Sequence, residues 1–230
     1  MELLDSLLPW VIVPALGIAL VAQLLMQAIY SRCTTIPGRL SGYAVARQML
    51  DGSGLYHVEI AQVPGHLSDH YDVRRKILQL SPDVYHGRHM AATGIAAHEA
   101  SHAIQAALGF KLLLAIREAA VPAASYGSGA GILLAIVGLV GRFPPFLSLG
   151  ILLFGGAMAL QLVNLPIEFH AGACAARTLV QLNLVTDDEL PRVRRVMFAA
   201  ALTYVGATLQ SMLTLIQHAS AALGKRKGDA

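Results

Sequence analysis

Apolar residues in this chain collect in four long runs that carry no charged side chain, at 7–30, 119–141, 143–167 and 196–224. A helix needs roughly 20 predominantly apolar residues to cross the hydrocarbon of a bilayer, so each run predicts a spanning helix. The first run could also be read as a signal peptide, but Glu2 and Asp5 stand where a basic start belongs, so a retained span is expected. Arg142-Phe143-Pro144-Pro145 divides the second run from the third and predicts a short turn between two antiparallel helices. Gly127 and Gly131, four residues apart in the second run, would let another helix approach closely.

Residues 31–118 follow a different pattern, with most of the charge and most of the histidines. Ser41 precedes an amphipathic stretch at 43–50 that stops at Asp51-Gly52-Ser53-Gly54, the pattern of a capped helix with a glycine-rich exit. Positions 56–63 alternate like a strand, Pro64-Gly65 turns the chain, and 76–80 is the expected hairpin partner. An alanine-rich helix follows around 96–105.

The fold class expected from these patterns is a mainly α membrane protein of about four transmembrane helices, with a small α+β insert that carries the 96–105 helix. Its divisions are an N-terminal span at 1–30, the insert at 31–118, a helical hairpin at 119–167, a polar segment at 168–195 and a last span with a basic tail at 196–230. Composition agrees: 55% of the 230 residues are hydrophobic, 13% are charged, and the mean hydropathy is +0.57. The 17 Lys and Arg against 14 Asp and Glu are too small an excess to call for nucleic acid. Most of those cations lie in 31–118 and 168–195, which puts both regions on the cytoplasmic side of a bacterial inner membrane. Lys225-Arg226-Lys227 opposes that orientation if the last helix crosses fully. Cys33 and Cys174 lack C-x-x-C partners and read as core residues.

His98, Glu99 and His102 form H-E-x-x-H in the sequence Ala96-Ala97-His98-Glu99-Ala100-Ser101-His102-Ala103-Ile104-Gln105. On a helix, histidines at i and i+4 share one face, where both can hold a single Zn²⁺ while the glutamate serves as general base toward water. A catalytic zinc usually takes three protein ligands. Glu168, the only acidic residue between Glu118 and Asp187, is the best candidate for the third, and His170 is its rival.

These residues carry a resemblance. Leu67-Ser68-Asp69-His70-Tyr71-Asp72, Leu78-Gln79-Leu80-Ser81, the 96–105 stretch and Leu165-Pro166-Ile167-Glu168-Phe169-His170-Ala171 together resemble the YugP-type membrane zinc metallopeptidases, in order and spacing, from about Ile36 to about Tyr204. The resemblance implies a fold similar to that of the HtpX-type gluzincins, with His98, His102 and Glu168 as ligands of one zinc ion and Glu99 as general base. Where this chain has Ser101 and His170, the family usually has glycine and an acidic residue.

The function expected is an integral-membrane zinc metalloendopeptidase acting on peptide or protein substrates, with the lipid bilayer as its other partner. A substrate peptide would lie antiparallel to the 76–80 strand; Asp69-His70-Tyr71-Asp72 either fixes the loop that begins the edge strand, the favoured reading, or supplies His70 or Tyr71 as a donor to the oxyanion. The alternative is a non-enzymatic membrane protein whose structural zinc joins the insert to the helices. Structural zinc, however, usually has four closed ligands, and no fourth stands near the motif.

Overall fold

Ser41 adopts extended backbone (φ −72°, ψ 157°), and its hydroxyl accepts from the Ala44 N–H at 3.3 Å. That cap starts the helix Gly42–Gly52, close to the bounds its amphipathic pattern predicts. In the computed structural model the described residues are 23–110, 112–116 and 140–199, with isolated positions among 17–21 and 130–138. Helices are α1 (23–34), α2 (Gly42–Gly52), α3 (Pro82–His86), α4 (Met90–Gln105), α5 (112–116), α6 (Pro144–Gln181) and α7 (190–199). The strands are β1 (Glu59–Gln62), β2 (His70–Asp72) and β3 (Ile77–Leu80). The chain divides into two compact units, one of 24–118 and 166–202, the other of 1–23, 119–165 and 203–230.

The strand expected over 56–63 begins only at Glu59. Arg47 is the reason: its guanidinium donates to the carbonyls of Val58 (2.7 Å) and Leu55 (3.0 Å) and pairs with Asp51 (2.8 Å), folding 53–58 back onto α2. Strand order is β1-β3-β2, with β1 parallel to β3 and β2 antiparallel to it. The expected hairpin between 56–63 and 76–80 is therefore corrected, because the antiparallel partner of β3 is β2. Asp72 closes that tight hairpin by accepting the Arg75 N–H at 2.7 Å, and Lys76 takes up a left-handed φ of +57°. β3 thus has a neighbour on each side, so a substrate strand cannot pair with it as expected.

One face of β3, Leu78 and Leu80, is fully buried in a core that also holds Val45, Met49 and Leu50 of α2, Val84 of α3 and the alanines of α4. α4 is buried almost all round, every residue but Ile95 and Glu99, so its polar side chains Thr93, His98, Ser101, His102 and Gln105 lie inside the protein as well. Its small residues let neighbours come close: a Cβ on Gly94 would meet Val196 of α7 at 3.1 Å. His89 caps α4 through its ring, Nδ1 accepting from the Ala92 N–H at 3.0 Å, and Met90 N donates to the Ile36 carbonyl at 3.0 Å. After Gln105 one wide π turn, Ala106–Phe110, redirects the chain at Gly109 (φ +100°).

The four-span architecture is overturned: among the described residues no helix is long and apolar enough to cross a membrane. The protein is mostly helical with a small sheet. A charge-free run reports low polarity without saying what covers it. The run at 143–167 is not a separate element but the start of α6, which continues through Glu168, His170 and Arg177 to Gln181. Within 166–202, Ile167, Ala171, Ala175 and Leu179 of α6 are buried against protein, as are Val196 and Met197 at the start of the fourth run. Most of the runs 7–30, 119–141 and 196–224, with Gly127 and the 225–227 tail, lie outside the described residues. At 141–145 the prolines open α6 rather than break it, since Pro at the first helical turn forfeits no helix hydrogen bond. Arg142 (φ +53°) makes the turn before them.

Candidate metal centre

Every residue from 96 to 105 is buried except Glu99, which is half-exposed. The i, i+4 spacing sets the imidazoles of His98 and His102 side by side on α4, ring centroids 4.8 Å apart and nearly perpendicular at 87°. Glu168 comes to them from α6, 66 residues beyond His102 in sequence, with only 1% of its surface exposed. His98 Nε2 lies 3.0 Å from Glu168 Oε2, and His102 Nε2 lies 3.7 Å from Oε1.

Those distances test whether a metal fits. Two ligands each 2.0–2.1 Å from a tetrahedral ion stand about 3.3 Å apart. The two separations bracket that value, and one donor atom from each of the three residues lies within 4.8 Å of the others. Two imidazole nitrogens and a carboxylate are also the donor chemistry that a borderline-soft divalent cation takes. The group can hold a metal ion. A buried carboxylate carries a desolvation cost of several kcal/mol, which a dication would offset.

Around the cluster, His102 Nδ1 donates to Gln105 Oε1 at 2.8 Å. Gln105 Nε2 donates to the Ile167 carbonyl at 3.0 Å and to His170 Nδ1 at 2.8 Å. His170, the rival for third ligand, therefore faces Gln105 and stacks on Phe110 (5.0 Å, 22°), apart from the three grouped side chains. Gln105 went unrecognised in the sequence; the signal available was its position seven residues after His98, two turns along the same helical face. Ser101 satisfies its hydroxyl within the helix by donating to the Ala97 carbonyl at 2.8 Å.

The Asp69-His70-Tyr71-Asp72 cluster is mostly occupied in holding the sheet. Asp69 accepts from the Ser81 N–H (2.8 Å) and hydroxyl (3.1 Å), joining the start of β2 to the end of β3. Burial pushes its carboxyl above the ordinary range, against the Ser81 hydrogen bonds that favour the charged form. His70 Nδ1 donates to the Ser68 carbonyl at 2.8 Å on an exposed edge. Tyr71 packs against the main core and against the cluster formed by Val73, Leu114 and Ile167, the residue before Glu168. Burial also lowers the His89 imidazole, with Asp83 opposing, which favours the neutral ring whose Nδ1 lone pair caps α4.

Residues 8–222 match the family model described as "Putative neutral zinc metallopeptidase". The chain belongs to this family. It is 36% identical over 208 residues to the Bacillus subtilis (strain 168) protein named "Putative membrane protease YugP", covering 89% of this chain and 92% of that one. No solved structure matches. Membership implies zinc as the metal and peptides or proteins as substrates of the family.

Proposed function

We propose that this protein is a zinc-dependent endopeptidase in which His98, His102 and Glu168 hold the metal and Glu99 is the general base. The observation that carries this reading is the buried convergence of two Nε2 atoms and one carboxylate at ligand spacing. A zinc ion bound there would supply Lewis acidity, polarising the scissile carbonyl and making water a better nucleophile at neutral pH. Glu99, the one solvent-accessible residue of the 96–105 stretch, takes a proton from that water on its carboxylate and passes it to the leaving amine nitrogen. The buried alanines around the histidines keep bulk water from the ligands.

A peptide main chain would add to β2, whose outer side carries no other strand among the described residues. Backbone pairing of that kind reads side chains weakly. The membrane setting in the relative's name extends to this chain as part of the same proposal, as attachment to a membrane, with no spans assigned.

The test is cleavage of a protein substrate by the purified chain beside Glu99→Gln, with zinc measured in both. Expected are retained zinc and a rate lowered by about 10²–10⁴-fold, the range that general acid–base catalysis supplies. Undiminished cleavage by Glu99→Gln would end the assignment.

A further inference from the structure

We infer that Gln105 is a positioning residue that decides which nitrogen of His102 is offered to the metal, and that the Ile167 backbone carbonyl makes that decision through it. The inference rests on the metal-binding reading above and goes beyond it.

A neutral imidazole carries its proton on one nitrogen and a lone pair on the other, and only the lone-pair nitrogen can ligate. His102 Nε2 is the atom that faces Glu168, so the proton has to stay on Nδ1. Gln105 Oε1, 2.8 Å from Nδ1, can only accept, which holds the proton there. That oxygen faces His102 only while the amide keeps its orientation. A flip would bring the NH₂ against Nδ1–H and the oxygen against the Ile167 carbonyl.

The carbonyl prevents the flip. It has lone pairs and no proton in any state, so at 3.0 Å it accepts only a donor, and Gln105 Nε2 is that donor. The second amide hydrogen goes to His170 Nδ1 at 2.8 Å. With Gln105 fully buried, all three bonds are made by protein, and the wrong orientation leaves two acceptors facing each other. Ile167 directly precedes Glu168, so one turn of α6 delivers the carboxylate and, through Gln105, sets the second histidine on α4. A ligand set assembled from two helices is thereby oriented from both sides.

Zinc affinity, measured by competition with a chromophoric chelator, tests this in wild type, Gln105→Met and Gln105→Glu. Methionine keeps the length and volume but accepts nothing from Nδ1–H, so affinity is expected to fall by about 10–100-fold, the usual effect of losing such a partner. Glutamate keeps the acceptor, with a proton retained on the oxygen that faces Ile167, so affinity is expected to stay near wild type. Thermal midpoints of the metal-free proteins serve as the folding control. A packing role alone predicts the reverse ranking. Equal affinity in Gln105→Met and wild type, or equal losses in both variants, would overturn the inference.

If Gln105→Met does not fold, the ¹⁵N resonances of His102 in zinc-loaded wild type decide the matter. A proton on Nδ1 supports the inference, and ligation through Nδ1 overturns it. A wild type that binds no zinc overturns the metal reading itself, a result distinct from tight wild-type binding with an indifferent Gln105.

Discussion

Replacing Glu168 by glutamine removes a buried negative charge and leaves the shape of the side chain almost unchanged. Its two opposed consequences separate a metal ligand from an ordinary buried acid. In metal-free protein the carboxylate is 1% exposed, so its desolvation cost offsets most of the gain from its 3.0 Å contact with His98. Glu168→Gln without metal should then lie within about 1 kcal/mol of wild type. With zinc the sign changes. Structural zinc contributes about 10–16 kcal/mol over four ligands, so one ligand accounts for roughly 3 kcal/mol, on the order of 100-fold in affinity. At free zinc 100 times the wild-type dissociation constant, binding stabilises wild type by about 2.7 kcal/mol. The same zinc would stabilise Glu168→Gln by only about 0.4 kcal/mol. Urea unfolding in chelator and in buffered free zinc measures both quantities. An undiminished zinc increment in Glu168→Gln would refute Glu168 as a ligand.

His170→Ala should keep the wild-type zinc increment, because its ring contacts Gln105 and Phe110 instead of the cluster; loss of the increment would reverse the choice of third ligand. His89 has a folded pKa below its unfolded value of 6.5, so its stabilising contribution is complete above 6.5 and is lost as pH falls through the folded value. Unfolding free energies at pH 7.5 and 5.5 should therefore diverge more in wild type than in His89→Asn, which caps α4 without titrating; equal pH dependence would count against the cap. A side chain at Gly94 meets Val196 at 3.1 Å, so Gly94→Leu should cost about 1–3 kcal/mol by overpacking. Adding Val196→Ala should recover part of that loss, and simple additivity of the two changes would argue that the contact is not the cause.

Local periodicity was a good guide wherever an element is governed by its own residues. Ser41 and the pattern at 43–50 announced α2, and the spacing of His98 and His102 placed both on one face of α4, because helical geometry relates residues three and four apart without reference to the rest of the chain. Strand pairing was not legible in this way. β1 and β3 looked like successive arms of a hairpin, and only the fold shows β2 taking the antiparallel place and β3 the centre. Alternation records which face of a strand is buried and is silent about its neighbour.

The charge-free runs misled for a related reason. Ile167 in the third run and Val196 and Met197 in the fourth are apolar where protein covers them, and a hydropathy pattern reads the same whether the cover is protein or lipid. What the amino-acid order determined alone is the short-range chemistry: two imidazoles and a carboxyl on adjacent turns of one helix. The meeting of that helix with Glu168, the orientation of Gln105 by the Ile167 carbonyl and the turning of His170 away from the cluster belong to tertiary structure. Contacts across more than sixty residues are selected by packing of the whole unit, and no local rule of spacing encodes them.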